Sequence, residues 1–168
     1  MVKKIIQKNE DAVLTKKSHP VTQFDSKLHG LLDELRETLA YAGGLGLAAP
    51  QIGILRRVVL VTDDNDNVVE MVNPKIVEFS GSQEGFEGCL SIAGMYGLVE
   101  RPMNVTVHAQ DRNGKSFTYK AEGMAARCCC HEVDHLEGRL YDEYCAKLYT
   151  EAEIDEILDQ NQKEYKAN

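Results

Sequence analysis

Leu28, Leu31, Leu32, Leu35 and Leu39 recur at the three-to-four spacing of one helix face, which predicts a helix from Asp25 or Ser26 to about Tyr41. Asp25 or Ser26 supplies the capping oxygen such a start needs, and Gly43 and Gly44 end it. GLGLAAPQIG is too glycine-rich for a regular element and reads as a tight loop lying close to something else. From Arg56 the period becomes two. RRVVLVT, VVEMV and PKIVEFS read as three strands, the first pair joined by a DDNDN turn. MNVTVHAQ and KSFTYKA flank Asp111-Arg112-Asn113-Gly114, a hairpin signal. Helical spacing returns from about Gly123 through HEVDHLEG, with Gly138 as its stop. A last helix starts near Thr150, where Thr-Glu-Ala-Glu resembles a capping box and the acidic first turn suits the helix dipole. Helix, antiparallel sheet, helix predicts an α+β fold in a single domain spanning 1–168, with no repeat or linker.

Composition narrows the function classes. The apolar fraction of 43% and charged fraction of 27% are those of an ordinary globular chain. No run approaches the roughly 18 apolar residues of a membrane span, and the apolar part of MVKKIIQKNEDAV is only Ile5-Ile6, too short for an export signal. A cytoplasmic location is expected. The net charge of −8 disfavours broad nucleic-acid or membrane-surface binding, and no nucleic-acid motif is present. Cysteines at 89, 128, 129, 130 and 145 are odd in number and three are consecutive, which suits burial or metal binding better than disulfides.

HEVDH carries the chemistry. On a helix, His131 and His135 lie on one face a turn apart and can share a metal ion, with Glu132 beside it as a proton acceptor and donor. The same five residues also arise by chance on exposed helices. A catalytic site needs a third ligand. Cys128 shares the helix, whereas Cys89 sits in EGCLS behind Gly81, Gly85 and Gly88, where a backbone can approach another element closely. Cys128, Cys129 and Cys130 are as readily small buried side chains.

Three segments taken in order resemble the signature motifs of the peptide deformylases: GLGLAAPQ at 44–51, EGCLS at 87–91 and HEVDH at 131–135. The likeness extends into DAVLTKKSHPV at 11–21 and HLEGRLYDE at 135–143, and so covers most of the chain. It implies antiparallel sheets around a central metal-binding helix. It also implies hydrolysis of the formyl group from the N-terminal formyl-methionine of nascent polypeptides, releasing formate. Cys89, His131 and His135 would be the metal ligands, Glu132 the general acid and base, and Gln51 with the Leu90 backbone N–H the oxyanion donors. Leu45 and Gly46 would meet the substrate backbone, and Glu87 and Arg101 would lie just outside the ligands. For Arg101 a surface ion pair is the alternative. The implied cofactor is one divalent ion: iron(II) natively, with zinc, nickel or cobalt able to replace it. The implied partners are an N-formyl-methionyl peptide and the ribosome or its nascent chain.

Three positions depart from the family's usual pattern. Cys130 stands where glutamine usually precedes the first histidine, and Ala93 where proline is more frequent, which predicts a looser loop. Arg127 stands where the helix is normally apolar. Met124, Arg127 and Cys128 precede His131 by seven, four and three residues, so they would wall the methionine pocket. Arg127 is expected to lay its stem along that wall with its head in water, or else to change the pocket's preference. Two other readings stand beside the first. One is a catalytically altered or silent deformylase-like protein; the other is an HExxH metalloprotease, which would generally take a third His or Glu ligand.

Overall fold

A computed structural model describes residues 1–167; Asn168, the end of the expected domain, lies outside the described residues. In chain order it contains α1 (Ser26–Ala42), β1 (Gly46–Ala48), β2 (Val58–Thr62), β3 (Val68–Ser80), β4 (Gln83–Cys89), β5 (Ile92–Arg101), β6 (Asn104–Gln110), β7 (Ser116–Glu122), α2 (Met124–Leu136), β8 (Leu148–Thr150) and α3 (Glu151–Ala167). This is an α+β fold. Its first sheet runs β1-β2-β3-β6-β7 and its second β4-β5-β8, with every pairing antiparallel.

The centre of the fold is β2. Successive side chains of a strand face opposite ways, and here both faces are covered. Val58 and Leu60 join Leu28, Leu32, Leu35 and Leu39 of α1, while Val59 and Val61 join Ala126, Cys129 and Leu136 of α2. Each buried Val or Leu contributes about 1.5–3 kcal/mol, so this one strand fixes both helices on the sheet. The start of α1 is held by Asp25, whose carboxylate accepts from the Lys27 and Leu28 N–H groups, both at 3.1 Å. Gly43 ends it in the left-handed region.

Two sequence expectations are corrected. VVEMV and PKIVEFS are one strand, β3, because its register shifts between Val72 and Lys75 and so absorbs Pro74, which has no N–H for the ladder. Asn73 takes a left-handed backbone there, and its side chain ties the shift to Val21 and Gln110. The glycine-rich loop contains β1, which pairs with β2 through Gly46–Val61, Leu47–Leu60 and Ala48–Val59 before a 3₁₀ turn over Ala49–Ile52. The resemblance implied more than one antiparallel sheet, as found, but the hydrophobic pattern did not mark the strands of the second, β4, β5 and β8. Thr150 caps α3 as expected: its hydroxyl accepts from Glu153 N–H at 3.3 Å, and the Glu153 carboxylate accepts from Thr150 N–H at 3.5 Å. No helix among the described residues is long and apolar enough to cross a membrane.

Gly138 follows α2 with φ +75°, and a Cβ there would lie 2.5 Å from the Thr15 carbonyl oxygen. Gly138→Ala is therefore expected to lower stability by about 2–4 kcal/mol, through strain and a clash with rigid backbone. Gly30→Ala, on the exposed side of α1 with nothing within 4 Å of the new carbon, is expected to raise stability by about 0.5–1 kcal/mol. Urea denaturation midpoints check both.

Candidate metal centre

α2 presents His131 and His135 on the face turned toward the end of β4, where Cys89 stands. One ligand atom from each residue lies within 4.8 Å of the others. The two Nε2 atoms are 3.2 Å apart, and Cys89 Sγ is 3.4 Å from His135 Nε2. His131 directs its other nitrogen, Nδ1, to Glu87 Oε1 at 2.6 Å. As neutral imidazole donating through Nδ1, it turns an Nε2 lone pair toward the second imidazole and the sulfur. Two nitrogen lone pairs and a thiolate facing one point repel one another unless they share a cation. The donor set therefore fits a divalent metal ion.

Glu87 is the hub of the surrounding contacts. Arg101 binds it through two N–H groups, at 2.7 and 3.1 Å, and Arg127 Nη1 donates to it at 3.0 Å. Arg101 also reaches Asp134 at 2.7 Å. Burial alone would raise the Glu87 pKa, but the hydrogen bonds from His131 and Arg101 hold it at about 2. Tyr141, buried and anchored through its hydroxyl to the Met95 carbonyl at 3.0 Å, stacks on the His131 ring. The ring is thus fixed on its face as well as at its edge.

Glu132 lies beside the ligands and has no hydrogen-bond partner for Oε2 among the described residues. Burial lifts its pKa to about 7, a value suited to both taking and giving a proton near neutrality. Gln51 is buried in the 3₁₀ turn. Its Oε1 accepts from Ala48 N–H at 2.9 Å, which leaves Nε2 directed at Ser91 Oγ (3.1 Å) and Cys89 Sγ (3.6 Å). Gln51 and Leu90 both face a cleft of about 560 Å³ that also contains His131 and Glu132. Its walls include Leu45, Gly46, Met124, Arg127 and Cys128, the residues expected to meet substrate.

Arg127 is corrected. Its head does not reach water: the residue is 5% exposed, and Nη1 donates to Glu87, to the Val99 carbonyl at 3.0 Å and to the Gly85 carbonyl at 3.4 Å. The carboxylate that orients His131 also draws this guanidinium inward. Arg101 is likewise buried, so the surface-pair alternative for it is dropped. Cys128 donates to the Leu45 carbonyl at 3.4 Å, and Cys129 and Cys130 lie in the core. Burial raises all three thiols, Cys129 to about 12 and Cys130 to about 11, and none of them joins the cluster of Cys89, His131 and His135. Sequence reasoning missed Phe86, Tyr96 and Tyr141. The first two also line the cleft, from strands whose glycines hid them.

A family model described as polypeptide deformylase matches residues 2–151. The chain belongs to the polypeptide deformylase family. It is 46% identical over 151 residues to the peptide deformylase of Caldicellulosiruptor bescii, covering 90% of each chain. Among solved structures, a peptide deformylase from Legionella pneumophila superposes with a TM-score of 0.83 at 40% identity, covering 87% of each chain. A class I type b peptide deformylase from Acinetobacter baumannii, solved with Met-Ala-Ser bound, gives 0.80 at 34% identity, covering 86% of this chain and 98% of that one. As a deformylase, the chain is a metal-dependent hydrolase that removes the formyl group from nascent peptides.

Two substitutions probe how the deformylase site is packed. A Cβ at Gly46 would come within 2.5 Å of Glu132 Oε1. Gly46→Ala is expected to displace that carboxylate and cut kcat by at least about tenfold, with metal content unchanged. Arg127→Leu removes a donor from the Val99 and Gly85 carbonyls and takes a charge from Glu87. It is expected to cost about 1–3 kcal/mol in denaturant titration.

Proposed function

We propose that the whole chain, 1–168, acts as one catalytic domain in which Cys89, His131 and His135 hold a single iron(II) ion natively, replaceable by zinc, nickel or cobalt. A borderline-soft donor set of two imidazoles and one thiolate supports this choice. When bound, the ion supplies Lewis acidity toward the formyl carbonyl and lowers the pKa of water. Glu132 accepts the proton of the attacking water and delivers it to the departing amine nitrogen, and its pKa near 7 serves both steps. As the formyl oxygen gains charge, the Gln51 Nε2 amide and the Leu90 backbone N–H donate to it. Gln51 cannot turn its oxygen into the site without giving up Ala48 N–H, so the amide is preset as a donor.

The peptide lies along Leu45 and Gly46. β1 is the edge strand of the first sheet, the place where an extended chain adds by main-chain hydrogen bonds. The formyl-methionine side chain enters beside Met124, Arg127 and Cys128. The Met-Ala-Ser found with the Acinetobacter baumannii relative supports a peptide ligand of this kind. Nascent chains leaving a ribosome are the proposed natural substrate, and the cytoplasm the proposed location.

The observation that carries this reading is the convergence of the three ligand atoms beside Glu132 in a peptide-sized cleft. Protein purified without oxygen is expected to contain one metal ion per chain and to release formate from formyl-Met-Ala-Ser while leaving unformylated casein uncut. Glu132→Gln is expected to keep the metal and lose about 10²–10⁴-fold in turnover, the usual worth of general acid–base catalysis. Casein cleavage, or near-normal formate release by the variant, contradicts the mechanism.

A further inference from the structure

Residues Ile6–Lys8 join the two segments that carry the oxyanion donors. Ile6 N–H donates to the Gln51 carbonyl and Lys8 N–H to the Ser91 carbonyl, each at 2.8 Å. Between them, the half-buried Gln7 side chain uses both ends of its amide on one loop. Nε2 donates to the Leu90 carbonyl at 2.9 Å, and Oε1 accepts from Ala93 N–H at 3.3 Å. The loop after Cys89, expected to be loose, is closed from outside by this clamp.

We infer that Gln7 is a positioning residue for deformylation, holding the Leu90–Ser91 peptide so that Leu90 N–H and the Gln51 amide aim at one point. The inference rests on the proposed roles of Gln51 and Leu90. The Leu90 carbonyl belongs to the peptide unit that follows the Leu90 N–H, so holding it restricts the rotation about Leu90 that would swing the donor away. The same loop carries Ser91, whose hydroxyl accepts from Gln51 Nε2 at 3.1 Å and whose N–H lies 3.4 Å from Cys89 Sγ. Gln7 itself does not line the cleft, and its side chain bonds Leu90 and Ala93, which do, so it acts through this loop.

The test compares Gln7→Met and Gln7→Glu with the unaltered, metal-loaded protein. Methionine fills the same space without a hydrogen bond. Glutamate keeps the acceptor for Ala93 N–H but sets a carboxylate against the Leu90 carbonyl. Both are expected to lower kcat on formyl-Met-Ala-Ser by about five- to twentyfold, less than the roughly 10²–10³-fold loss for deleting an oxyanion donor outright. KM and metal content should stay nearly unchanged. Amide exchange across residues 90–93 should quicken by about tenfold in Gln7→Met, with α1 and α2 unaffected. A Gln7→Met protein with unaltered kcat and exchange overturns the inference. So does a loss of kcat matched by faster exchange throughout the chain, since that is general destabilisation. If the unaltered protein releases no formate, the reading of the site fails instead, and loop exchange alone decides whether the clamp exists.

Discussion

A buried carboxylate on β4 sets the position of everything around it. Glu87 is two residues from Cys89 and is bound by His131 and Arg127 of α2 and by Arg101 of β5. Cys89 on the second sheet and His131 and His135 on α2 are thereby fixed relative to one another through one charged group. Glu87 keeps Arg101 and His131 when Arg127 is lost, whereas losing the carboxylate itself leaves two buried guanidinium groups without their shared partner, the kind of change that costs about 3–5 kcal/mol. The bond to His131 Nδ1 also fixes the tautomer that leaves Nε2 free. Support for the fold and preparation of the site are therefore one interaction.

The space beside this hub is divided by size. Glu132 can stand next to the ligands because Gly46 has no side chain to occupy that volume, and the same bare backbone edge is what a peptide would meet. On the far side, Gln51 and the loop after Cys89 close over the cleft and are tied back by the extended segment near the start of the chain. The three consecutive cysteines fill the gap between α2 and the sheet. Cys89 is the sulfur whose Sγ converges with the two histidines.

Much of this was legible in the sequence, for identifiable reasons. The apolar faces of α1 and α2, the hairpin around Asn113-Gly114 and the Thr150 cap are local patterns, and local patterns survive into the fold. β4 and β5 were not legible because Gly85, Gly88, Gly94 and Gly97 interrupt the alternation that marks a strand. β3 read as two strands because Pro74 looks like a break until its register shift is seen. Arg127 and Gln7 were misread or passed over because their partners, Glu87, Val99, Leu90 and Ala93, lie far along the chain. The HEVDH spacing predicted two ligands on one helix face. The third came from the resemblance carried by EGCLS, since no spacing rule links residue 89 to residue 131.

The central claim is that the two histidines and Cys89 bind one ion together. X-ray absorption fine structure at the metal edge of the zinc-loaded protein tests it most directly. The account predicts a single sulfur at about 2.3 Å and two imidazole nitrogens at about 2.0–2.1 Å, the usual zinc bond lengths, with the sulfur lost in Cys89→Ala. A shell without sulfur, or one that keeps its sulfur in that variant by drawing on Cys128, would contradict it.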